Sequence, residues 1–154
     1  MRGLLWCVRA PTTSASFFIG SIAAAATTGA LIGIGRRAGN AGFPFAAMAA
    51  VLFQRTPSSA AIGLVFLGLV VHVVLSFVWA AAFLWLAAGP VRRDAVAAGT
   101  VALAQFAVGW VVASITGAGI ASVIPLGDRI MLAAVMAAAL VTGMRLARAN
   151  SRIA

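Results

Sequence analysis

His72 is the sole histidine of a 154-residue chain, and it stands near the middle of a long stretch with no other ionisable side chain. Gly68 lies one helical turn before it, Ser76 one turn after and Trp79 two turns after, so in a helix all four share a face. A neutral imidazole offers one N–H donor and one lone pair, and an ionisable group inside a membrane span marks a functional site by default. Three kinds of chemistry are open to it. The ring can hydrogen-bond a neighbouring helix, with Gln105 or Thr28 as its partner, and simply fix a bundle, which is the leading expectation. Its free nitrogen can bind the metal of a haem or chlorophyll-type group, with Gly68 making room for the macrocycle and Trp79 stacking against it. It can also relay protons or contact a substrate in a small transporter.

Gln105 is the other polar group deep in an apolar stretch, and its amide both donates and accepts. Other constellations are missing. There is no glutamate, and the two acids are Asp94 and Asp128, which removes the intramembrane carboxylate of small multidrug exporters and the His-Glu-x-x-His helix of zinc peptidases. The single cysteine, Cys7, forms no internal disulfide or thiol redox pair. Ser76 and His72 superficially pair as a protease dyad, but Ser76 lacks a glycine-flanked elbow and lies on the same helix as its supposed base. No enzymatic activity is expected, and no metal site.

These residues need long apolar elements to hold them, and the charge pattern supplies such elements. Residues 14–35, 58–91, 95–126 and 130–144 carry no charged side chain, and about 20 apolar residues make a helix that crosses a bilayer. Hydrophobic residues are 64% and charged residues 8% of the chain, whereas soluble domains carry about a quarter charged residues. The expected class is an all-α polytopic transmembrane bundle in a single domain. Its four spans are predicted at about 14–35, 60–88, 95–115 and 128–147, with one or two short re-entrant or interfacial apolar segments. Arg2 and Arg9 precede the first apolar run, which is longer than the 7–15 residues of a signal-peptide core and is read as a retained span.

The net charge of +9 comes from eleven basic residues, all arginine, placed at segment ends where lipid headgroups lie. They form no continuous face for a nucleic acid backbone. Arg2, Arg9, Arg92, Arg93, Arg145, Arg148 and Arg152 fall on the side of the termini, against Arg36, Arg37, Arg55 and Arg129 opposite. That asymmetry puts both termini in the cytoplasm. Arg145, Arg148 and Arg152 share a helical face and are expected to hold anionic headgroups.

Between the first two spans, Gly42-Phe43-Pro44-Phe45 opens a short apolar helix at about 44–54, with Pro44 in its first turn and Arg55 and Pro57 ending it. Thr116-Gly117-Ala118-Gly119 breaks the third span in the same way before residues 120–124 and Pro125. Both excursions are expected on the outer face. Asp128 is placed to cap the fourth span. Small residues every fourth position, Ser16, Gly20, Ala24 and Thr28 on the first span and Gly109, Ala113 and Gly117 on the third, predict close helix contacts, as do Ala133, Ala134, Ala137 and Ala138 on the fourth. Trp85, near Gly89-Pro90, is expected at the interface, with Trp79 and Trp110 filling helix contacts.

The Gly68-x-x-x-His72 arrangement resembles the pigment-ligand pattern of bacterial light-harvesting helices. The longer run Gly68-x-x-x-His72-x-x-x-Ser76-x-x-Trp79, with Gly20-x-x-Ala23-x-x-x-Thr27 in the first span, resembles small uncharacterised bacterial inner-membrane proteins with four spans. That resemblance implies topology and an inner-membrane location. The expected role is a small accessory or structural subunit without a cofactor, in contact with lipids and with other transmembrane proteins or copies of itself. A small transporter or channel-like homo-oligomer and a pigment-binding subunit are the alternatives.

Overall fold

A computed structural model describes residues 13–53, 62–88 and 93–150. Six helices follow one another: α1 Thr13–Arg37, α2 Phe43–Phe53, α3 Ile62–Ala88, α4 Asp94–Thr116, α5 Ile120–Val123 and α6 Leu126–Asn150. Four of them, α1, α3, α4 and α6, are long and apolar enough to cross a membrane, which makes this a multi-pass helical membrane protein. The spans match the predicted bounds to within about two residues, the scatter normal for helix ends, except that α6 runs three residues further at its C-terminal end.

The chain reverses tightly after α1. Gly39 takes a φ of 86°, Asn40 Oδ1 accepts from the Gly42 N–H at 2.9 Å, and a Cβ on Gly35 would stand 2.6 Å from the Asn40 carbonyl oxygen. Pro44 falls in the first turn of α2, where a missing N–H is harmless. Every residue from Pro44 to Ala50 is buried. A helix lying in the membrane interface keeps one face open, so α2 is instead a short helix enclosed by the bundle, against α1 and α3. Arg55 and Pro57, expected to end it, lie outside the described residues, as do Cys7, Arg2, Arg9, Arg92 and Arg152.

At the end of α4, Gly117 adopts the left-handed conformation that a helix C-terminus favours, with φ 64° and its N–H bonded to Ala113. Gly119, at φ 96°, brings the single turn of α5 against α2, where a Cβ would meet Val51 at 3.1 Å. The two apolar excursions therefore lie on the same side of the bundle and touch each other.

Two packed regions hold the spans together. Towards the chain termini, Ile19 and Ala23 of α1 meet Phe83 and Leu84 of α3, Ala97 and Val101 of α4, and Met136 and Leu140 of α6. Towards the short helices, Leu31 and Ile34 meet Phe45, Met48, Ile124 and Leu132. The acids clip α6 at both ends: Asp128 accepts from Arg37 of α1 at 2.6 Å, and Asp94 of α4 accepts from Arg148 at 2.5 Å. Asp128 thus lies inside the first turn of α6 and pairs across helices, where an N-cap was expected. The polar start of α6 gives it a nearer partner in Arg37 than its own backbone.

The close-packing seams differ from expectation. On α1 the fully buried row is Ile19, Ala23, Thr27 and Leu31, one position before the predicted row. Gly20 beside it still matters, because a Cβ there would overlap the Phe77 ring, which also stacks on Phe17 at 4.9 Å. On α6 the tight approach is at Gly143, where a Cβ would sit 3.3 Å from the Ile19 backbone; Ala134 and Ala138 face outward. On α4, Cβ atoms on Gly109 and Gly117 would meet nothing within 4 Å, and Trp110 is 59% exposed. The two glycines make no close helix contact, because α4 packs on α3 mainly in the region of Ala97 to Val101. Trp85 is exposed, and Trp79 is partly buried against the core, in a helix contact as expected.

Candidate functional site

The divergence of α3 and α4 leaves a cavity of about 290 Å³, closed at the back by α6 and at one end by α2 and α5. Its walls are mostly apolar, and Leu52, Leu75 and Val108 at its margin are exposed on the flank that faces lipid. Five of its lining residues carry polar groups: His72, Ser76 and Trp79 from α3, Gln105 from α4 and Arg129 from α6. The structure therefore brings the sequence-predicted polar side chains to one place, together with Arg129, which the sequence places at the start of the fourth span.

His72 is buried and its Nε2 lies 2.9 Å from Thr27 Oγ1. Thr27 donates its own proton to the Ala23 carbonyl at 2.7 Å, which leaves a lone pair for an Nε2–H. The tautomer with the proton on Nε2 fits this geometry. The partner is Thr27, where Gln105 or Thr28 was expected. The reason is the offset of the α1 seam: Thr27 belongs to the buried row and Thr28 turns about 100° away from it. Hydrogen bonds of this kind contribute roughly 0.6–2 kcal/mol between membrane helices.

Gly68 is needed for a helix crossing and leaves no room for a macrocycle. A Cβ there would overlap the Phe45 carbonyl oxygen, so α2 occupies the space beside His72. The Phe45 ring meets the imidazole edge-on, with centroids 5.9 Å apart. Ser76 donates to the His72 backbone carbonyl at 2.9 Å and is turned away from the ring as a nucleophile. Trp79 contributes wall to the cavity and packs on the core.

Gln105 does not close the His72 pair. Among the described residues its Oε1 is buried without a hydrogen-bond partner, and so is Nε of Arg129. The Arg129 guanidinium lies over the Phe106 ring, 5.5 Å from its centre, in the geometry of a cation–π contact. Phe106 lies about ten residues before the end of α4 at Thr116, so the half-buried arginine lies against the side of α4. Its placement one turn into an otherwise apolar helix was the signal available in the sequence. At the opposite end, Arg145 is exposed, while Arg148 is held by Asp94 and so is not a free headgroup ligand as expected.

No protein family, curated protein or solved structure matches this chain, so the site is read from its own residues.

Proposed function

We propose that the protein is a non-enzymatic membrane-embedded binding subunit whose cavity holds a small amphipathic molecule admitted from the lipid phase. One observation carries this reading: a mostly apolar cavity, open on the flank where Leu75 and Val108 are exposed, whose lining includes the polar residues His72, Ser76, Gln105 and Arg129. Ligand sites have this composition, apolar walls with a few placed polar groups. The set lacks a nucleophile paired with a base, since Ser76 is committed to the His72 carbonyl, and the two acids are committed to Arg37 and Arg148. Binding or passage of a guest is supported over chemical conversion. A haem or chlorophyll-type group is supported least, because Phe45 and Thr27 occupy the surroundings of His72. The setting we propose is a bacterial inner membrane, with both termini cytoplasmic and α2 and α5 towards the outer face.

The test is native mass spectrometry of the protein extracted from its own membranes in mild detergent, compared with a Gly109→Leu variant. Gly109 lines the cavity and a side chain there meets no neighbour within 4 Å at its Cβ, so leucine fills space without forcing helices apart. We expect a small-molecule adduct on the wild type, reduced at least ten-fold in the variant. Adduct-free protein sinks the reading; retained foreign subunits without an adduct restore the structural accessory role, and a bare homo-oligomer favours a channel.

A further inference from the structure

We infer that the guest in the α3–α4–α6 cavity carries an anionic oxygen head, a carboxylate or phosphate, which Arg129 binds; this rests on the reading of the cavity as a binding site. The argument is one of charge. Arg129 is half-buried and lines the cavity; its Nε is enclosed with no hydrogen-bond partner among the described residues, and its guanidinium lies over the Phe106 ring. An uncompensated cation in an apolar surround is costly, and such groups pair or coordinate.

This sequence has two acidic side chains. Asp128 faces Arg37 at 2.6 Å and Asp94 faces Arg148 at 2.5 Å. With both engaged at the two ends of α6, no acidic side chain remains to neutralise Arg129. A ligand or ion entering the cavity supplies the counter-charge that no described acidic side chain gives Arg129 within ion-pair distance. A planar guanidinium suits carboxylate and phosphate oxygens because it offers parallel N–H donors in a fixed fork.

Gln105 narrows the head group further. Gln105 lines the same cavity and its Oε1 has no donor among the described residues, so a head that carries a hydroxyl or N–H beside its anionic oxygen offers the amide a partner once the side chain rotates towards it. A phosphate monoester, or a phosphodiester with a neighbouring hydroxyl, has that pattern. The apolar remainder of the cavity and its open margin at Leu75 and Val108 accommodate the first part of an alkyl chain, with the rest in lipid. The occupant is an anionic single- or double-chain amphiphile.

The full chain in a neutral maltoside detergent is titrated calorimetrically with dodecyl phosphate and with dodecanol. We expect dodecyl phosphate to bind at least ten-fold more tightly, Arg129→Gln to abolish that preference while dodecanol still binds, and Arg129→Lys to keep part of it. Gly109→Leu should bind neither. Retained melting behaviour of each variant separates lost binding from lost fold. If neither probe binds the wild type, the binding-site reading falls and this inference with it. If both bind equally and Arg129→Gln changes nothing, the anion site alone is overturned. Displacement of dodecyl phosphate by millimolar inorganic phosphate would assign the anion to a water-soluble source and overturn the amphiphile; resistance to it supports the amphiphile.

Discussion

Gly68 and Thr27 show how single atoms decide this architecture. Adding one methyl group to Gly68 drives it into the Phe45 carbonyl, which belongs to a backbone and cannot rotate aside as a side chain can. Gly68→Ala should therefore lower stability by about 1–3 kcal/mol, the usual effect of overpacking. Thermal or denaturant melts in detergent measure it, and an unchanged midpoint would mean that α2 does not sit against α3. The same two positions mark what a sequence can reveal. His72 could be singled out because a lone ionisable group in an apolar run is conspicuous. Its partner is neither Gln105 nor Thr28, the two expected, but Thr27: Thr27 and Thr28 are identical in type, and only the packing of α1 tells which one turns inward. Gly68 was conspicuous for the right spacing and the wrong reason: the absence of a side chain leaves room equally for a ligand or for another helix. Arg129 went unnoticed as a cavity residue since arginine near a span end ordinarily reaches for headgroups, and the Phe106 contact is invisible in one dimension.

At the scale of elements, span positions followed from hydropathy alone, because a bilayer of fixed thickness demands a fixed apolar length. Which face of each span packs did not follow. Ala133, Ala134, Ala137 and Ala138 look alike in sequence, yet the buried edge of α6 is set by Leu132, Met136, Ala139, Leu140 and Gly143. Both acidic residues serve α6, one at each end. The pairs are well exposed on the arginine side, with Arg37 at 59% and Arg148 at 55%, so each contributes at most about 1 kcal/mol. Asp94→Asn and Asp128→Asn should each lower stability by no more than that, in a manner that fades as salt rises from low to high ionic strength. A loss of several kcal/mol from either would show that the pair is desolvated in the bilayer headgroup zone and is stronger than its exposure implies.

For the molecule as a whole, four spans place both ends of the chain on one side. The arginine asymmetry is the basis for the proposal that this side is the cytoplasm. Reporter fusions at the two ends check this. A fluorescent protein that matures only in the cytoplasm should glow at either terminus, and alkaline phosphatase, active only outside, should stay silent at both. Opposite signals at the two ends would mean an odd number of crossings and would undo the four-span architecture. The cavity, by contrast, was not legible beforehand, because it arises where α3 and α4 part company, and no local pattern announces the divergence of two helices.

The enclosure of α2 also constrains the order of events during synthesis. Translation brings α1 and α2 out of the ribosome before α3, α5 or α6, and α2 is too short to be handed into the bilayer as a crossing segment in its own right. It has to wait, sheltered at the insertion machinery or against the membrane surface, until α3 arrives and Gly68 offers it a groove. The second short helix, α5, comes later still and closes over the Val51 side of α2 through Gly119. Assembly of this small protein is thus a matter of timing: a segment made early reaches its final neighbours only when nearly the whole chain has been translated.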